Sequence, residues 1–167
     1  MQCGIIAVSH HICRKGHDMK KRITAAAALL LAIAVISGCG GSVSYIDGTY
    51  EARSAEYVNE DGSEEGNGYG VVKITISGGA ISDCEFTTYE LDGTQKGEDY
   101  GKKQGSIANK DFYNKAQKAV AACAKYADDL VASGDLNSVD AVSGATINYQ
   151  QFTEAVSEAL GKAEAKS

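Results

Sequence analysis

Beyond residue 38 the chain contains no histidine, no methionine and no tryptophan. Its three His (His10, His11 and His17) and two Met (Met1 and Met19) all lie upstream, and Trp occurs nowhere. Without His, neither a Ser–His nor a Cys–His nucleophile can be assembled, and a His-based metal site is excluded. Haem held by His or Met axial ligands is excluded as well. Cysteine is scarce: past residue 38 only Cys39, Cys84 and Cys123 remain. Cys39 belongs to an export signal, and two further thiols cannot hold a four-Cys iron–sulfur cluster. There is no G-x-G-x-x-G stretch, no tandem repeat and no evident acid/base pair. A chain so equipped has little with which to run demanding chemistry alone, and a bound cofactor is the natural carrier.

The upstream segment reads as an address. Lys20, Lys21 and Arg22 precede an apolar run over 23–36, and Ile36-Ser37-Gly38-Cys39 follows. A positive region, a short apolar region and small residues before a cysteine make a bacterial lipobox. The run is shorter than the roughly 20 residues that span a membrane. Cleavage before Cys39 and lipidation of its thiol are therefore expected, with a retained signal anchor as the alternative. Residues 1–18 fit no signal pattern, so Met19 is the expected start. The expected organisation is a signal peptide over 1–38, a lipidated linker over 39–44, one domain over 45–162 and a tail over 163–167. The expected location is the outer face of a bacterial cytoplasmic membrane, held there through Cys39.

Cleavage would change the charge balance. It removes five basic residues (Arg14, Lys15, Lys20, Lys21 and Arg22) but one acidic residue, Asp18, taking the formal charge from −6 to −10. That acidity argues against nucleic acid as a partner and against electrostatic docking to anionic lipid. The 129 residues from Cys39 to Ser167 are enough for one core.

The pattern of the remaining chain predicts an α+β domain: a small antiparallel sheet packed against two or more helices. Residues 47–52 read as a first strand and 59–68 as an acidic loop. Residues 69–77 are rich in β-branched side chains, with Val72, Ile74 and Ile76 on one face. Gly78-Gly79 marks a hairpin turn, and 80–89 returns as a strand. Residues 91–107 are polar and Gly-rich and read as a loop; Lys102 and Lys103 read as a solvated pair there. A long helix over 109–131 carries an apolar stripe of Phe112, Ala116, Ala119, Val120, Cys123, Ala127 and Leu130, and Ser133-Gly134-Asp135 ends it. Cys84 and Cys123 fall on apolar faces, which favours two buried free thiols over a disulfide. A last helix buries Phe152, Ala155, Val156, Ala159 and Leu160, ending near Gly161-Lys162.

Just before that helix stands Asp140-Ala141-Val142-Ser143-Gly144-Ala145-Thr146. Read alone, S-G-A-T is a good helix-start signal, because Ser and Thr cap helices and Gly permits a turn. A phosphate is equally at home at such a helix start, where free N–H groups and the positive end of the dipole meet its charge. The full stretch resembles the attachment motif D-x-x-[S/T]-G-A-[S/T] of the FMN-binding domain family. Asp47-Gly48-Thr49-Tyr50 and the hairpin over 69–89 resemble that family as well. The family includes the C subunit of the sodium-pumping NADH:quinone oxidoreductase, the G subunit of the Rnf complex and small surface lipoproteins.

The resemblance implies FMN carried as a phosphoester on Thr146, added after export by a separate flavin transferase. It implies cofactor-binding roles for Asp140, Ser143, Gly144 and Ala145, with Asp140 as the acidic residue the transferase requires. Tyr149, one turn along the helix, is placed to stack on the flavin ring or to lie half-buried on the surface. The implied function is a redox carrier rather than an enzyme with its own substrate, passing electrons from a membrane donor to an extracellular or partner acceptor. No catalytic residue and no metal site is expected. The alternative is a binding or regulatory lipoprotein of the same fold without flavin.

Overall fold

The computed structural model describes residues 43–165, so the lipobox, Cys39 and the expected start at Met19 lie outside the described residues. Three strands form one antiparallel meander: β1 (Gly48–Arg53), β2 (Tyr69–Ser77) and β3 (Ala80–Tyr89), with β2 in the middle. The register pairs Ala52 with Val72 and Val72 with Phe86. Alternation puts Ala52, Val72, Ile74, Ile76, Ile81 and Phe86 on one face, all buried. The hairpin strands begin and end where the sequence pattern predicts. Asp47 explains part of the D-G-T-Y motif. Its carboxylate accepts the N–H groups of Gly78 and Gly79, both at 2.9 Å, and so ties the start of β1 to the β2–β3 turn. Those two bonds hold the Asp47 carboxyl below its ordinary pKa.

Two helices cover the buried face. Helix α1 (Lys110–Ser133) lies on β3, and α2 (Thr146–Ala163) lies across β2 and β1. Helix α1 begins where Asn109 accepts the N–H groups of Asp111 and Phe112. It stops at Gly134, whose left-handed backbone turns its N–H to the Leu130 carbonyl at 2.8 Å. A 3-10 turn, Leu136–Ser138, then leads toward α2. Neither the hairpin nor a helix could bury its apolar stripe alone, so the two layers need each other.

Phe152 of α2 sits at the centre of the core. Its ring meets Phe86 edge-on at 5.0 Å and Tyr126 at 5.5 Å. Fully burying a side chain such as Ile74 contributes about 1.5–3 kcal/mol. Ala155, Ala159 and Ala163 have no exposed surface, and such small residues let α2 lie close to the strands. The stripe on α1 differs from the predicted one. Tyr126 is fully buried, whereas Phe112 and Val120 are only half-buried. Tyr126 earns that place by bonding, since its hydroxyl has two backbone partners inside.

Helix α2 runs to Ala163, past the expected end at Gly161-Lys162. The ordered structure also reaches into the stretches read as linker and tail. Ala165 donates to Ser44 at 2.9 Å, and Ile46 donates to Ala163 at 2.9 Å. Cys84 is half-buried and Cys123 buried, and both are free thiols. Burial pushes the Cys84 thiol up to about 12.

Candidate functional site

The stretch before Thr146 is a tight turn resting on α1. Ala145 donates to the Val142 carbonyl at 3.0 Å, closing a four-residue turn over 142–145. Gly144 occupies its third position with φ +84°, as a type II turn requires. The Tyr126 hydroxyl lies beneath, accepting from Val142 N–H at 3.0 Å and donating to the Ala145 carbonyl at 3.2 Å. Thr146 is the first residue of α2 and is exposed. The N-cap position falls on Ala145, which offers no side-chain cap. Neither Ser143 nor Thr146 acts as a cap, so the reading of S-G-A-T as a simple helix cap fails here. Helix geometry leaves the first N–H groups of α2 without intrahelical partners.

Beside Thr146 opens a cavity of about 300 Å³, at the lower end of the ~300–1,000 Å³ range of small-molecule sites. Gly144, Ala145, Thr146 and Ile147 form one wall, Phe112, Lys115, Ala116 and Ala119 of α1 a second, and Glu65, Gly66 and Tyr100 the third. Lys115 and Glu65 form an ion pair between the last two walls. Gly66 favours glycine because its backbone is left-handed at φ +79°, and a Cβ there would also push the tip of Ile147 aside. Its N–H donates to the Tyr100 hydroxyl at 3.2 Å, and its carbonyl accepts from Lys96 Nζ at 3.1 Å. Lys118 of α1 reaches toward the turn: its Nζ lies 3.9 Å from the point a Cβ on Gly144 would occupy.

Gly144, Ala145 and Thr146 thus share one wall. The other expected site residues lie elsewhere. Ser143 is exposed and makes no side-chain hydrogen bond among the described residues. Asp140 faces a separate open groove with Lys125, Asp129 and Ser138. Tyr149 is half-buried and held by protein: its hydroxyl donates to Val139 at 2.9 Å and its ring lies 5.5 Å from Tyr126. It does not line the cavity, because that side of α2 turns to α1 and the 3-10 turn. Lys102 is paired with Asp99 at 2.7 Å, and neither it nor Lys103 lines the cavity.

Sequence reasoning did not find Glu65, Gly66, Lys96 or Tyr100. Residues 91–107 read as a polar, Gly-rich loop, yet Lys96 within it is 4% exposed. Burial pulls its ammonium down to about 8, and burial likewise raises the Tyr100 phenol. The sequence signal for them was weak: an aromatic and a lysine four residues apart in a Gly-rich stretch.

The lining suits a flavin. Tyr100 and Phe112 offer aromatic surface, and the uncapped start of α2 offers donors to a phosphate. Comparison with known proteins agrees. No curated protein matches the chain. A crystal structure of a Clostridium perfringens protein shares the fold at 17% identity, covering 71% of this chain and 88% of that one, with a TM-score of 0.52. A solution structure of a Clostridium thermocellum protein aligns at 22% identity over 72% of this chain and 94% of that one, with a TM-score of 0.38. The model of the FMN-binding domain matches residues 66–161, from the glycine that closes the cavity nearly to the end of α2. With that match spanning more than half of its length, the chain belongs to the FMN-binding domain family.

Proposed function

We propose that this flavin-binding protein is a lipid-anchored electron carrier whose FMN is joined to Thr146 by a phosphoester. The observation that carries this reading is the exposed Thr146 hydroxyl, set at the uncapped start of α2 beside an aromatic-lined cavity. The residue is reachable by a modifying enzyme, and the cavity next to it has room for a ring system.

A flavin transferase using FAD and magnesium would install the group. The Thr146 oxygen attacks the FMN-side phosphorus of FAD. The pyrophosphate bond breaks, AMP leaves, and the hydroxyl proton passes to a base or to solvent. In the product, the first N–H groups of α2 would meet the phosphodiester charge. Lys118 is close enough to Gly144 to add a positive charge there. Phe112 and Tyr100 line the cavity that would hold the ring, and would limit its contact with water. When bound, the flavin supplies reversible uptake of electrons. The protein contributes orientation and field.

Export and anchoring through Cys39 complete the proposal, on the strength of the Lys20-Lys21-Arg22 region and the I-S-G-C lipobox. Electrons would pass from a membrane donor to an extracellular or partner acceptor. The test is expression of the full chain in a bacterium that carries a flavin transferase. A flavin fluorescence band should survive denaturing electrophoresis and follow the membrane fraction, and Cys39→Ser should move it out of that fraction. A band absent from the wild-type chain would favour a flavin-free binding lipoprotein.

A further inference from the structure

We propose that Lys96 is a positioning residue for the flavin, a positive charge held directly behind the cavity wall that favours the reduced ring. The inference rests on the flavin reading of the cavity above. Lys96 Nζ donates to the Gly66 carbonyl at 3.1 Å and stands 4.9 Å from the centroid of the Tyr100 ring. Both of those residues line the cavity beside Thr146, and they are bonded to each other through Gly66 N–H and the Tyr100 hydroxyl. The root of the side chain is fixed as well, since Lys96 N–H donates to the Thr88 carbonyl at 2.9 Å, extending the edge of β3.

The ammonium has no carboxylate within ion-pair distance. Among the described residues, the ion pairs use Arg53, Lys73, Lys102, Lys115, Lys125 and Lys162. Glu65, the acidic residue on the same wall, is taken by Lys115. Glu90 and the Cys123 thiol act on Lys96 only through space. A buried cation without a carboxylate is costly, and a methionine would fill the same space without the charge. Groups kept in so unfavourable a state cluster at functional sites. Here the missing counter-charge arrives with reduction. Two electrons and one proton entering the neutral ring leave it with one negative charge, and Lys96 lies one layer of protein away.

The experiment uses the full chain loaded with FMN by a flavin transferase, with loading at Thr146 checked by mass spectrometry. Wild type, Lys96→Met, Lys96→Gln and the exposed-site control Lys103→Gln are titrated with dithionite against reference dyes at pH 7. Dithionite supplies the electrons and is oxidised to sulfite. Both Lys96 variants should disfavour the reduced form about tenfold, a potential about 30 mV more negative for the two-electron couple. Lys103→Gln should match wild type. Lys96→Met should keep its loading and melt no lower than wild type, whereas removing a merely structural lysine would lower the midpoint. Unchanged potentials in both Lys96 variants would overturn the proposal while leaving the flavin reading intact. A wild-type chain that takes no flavin at Thr146 would remove the reading itself, and the proposal with it.

Discussion

The Tyr126 hydroxyl donates to the Ala145 carbonyl at 3.2 Å, so a fully buried side chain of α1 holds the residue that precedes Thr146. The same oxygen accepts from Val142 N–H at 3.0 Å. One phenol therefore fixes both ends of the turn that presents Thr146.

Tyr126→Phe keeps the ring packing against Phe152 and removes both bonds. The Val142 N–H loses its partner, and a buried group left unsatisfied costs about 1–3 kcal/mol. The expected outcome is a lower thermal midpoint together with slower transferase loading of Thr146. Circular dichroism melting and a loading time course followed by mass spectrometry check the two parts.

Gly144→Ala tests the turn itself. A Cβ at that position meets nothing nearer than Lys118 at 3.9 Å, so space is not the obstacle. The backbone is, because φ +84° costs a residue with a Cβ about 1–2 kcal/mol. A modest drop in stability with a clear fall in loading rate is expected. Equal loading rates would show that the transferase does not read this turn.

Much of the fold was legible in the sequence because its elements are periodic. The alternation of Val72, Ile74 and Ile76 defined β2, and Phe152, Ala155, Val156 and Ala159 at three- and four-residue spacing defined the buried face of α2. The Ser133-Gly134 stop was legible because a left-handed cap favours glycine. The cavity was only partly legible. Its Thr146 wall is one contiguous motif, but the facing wall joins Glu65, Gly66 and Tyr100 from two loops, which have no period to read. Tyr126 escaped because an aromatic with a polar tip gives no sign of how deeply it is buried until its partners are known. Tyr149 illustrates the converse. Its spacing from Thr146 left stacking on the ring and half-burial equally open, and the structure shows it half-buried against the Val139 carbonyl and Tyr126.

Lys96 also makes stability depend on pH. Its folded pKa, about 8, lies below the ordinary 10.5, so the unfolded chain binds more protons between those values. Stability on its account rises with pH through that window and falls as pH drops toward 8. Cys84 acts in the opposite sense: a thiol raised from 9.0 to about 12 loses stability as pH climbs above 9. Lys96→Met should therefore exceed wild type in stability at pH 7, by about 3 kcal/mol at most. The gap should close as pH approaches 10.5, which urea unfolding of the two proteins from pH 7 to 10 measures. A gap constant with pH would show that the ammonium is not desolvated.

The most direct measurement is the mass of the peptide containing Thr146 after the full chain is treated with a flavin transferase, FAD and magnesium. The account predicts an increase of one FMN phosphoryl unit on that peptide, lost in Thr146→Ala and largely kept in Thr146→Ser, where a hydroxyl stands at the same helix start. An unmodified Thr146 under conditions in which the transferase modifies a known acceptor would contradict it.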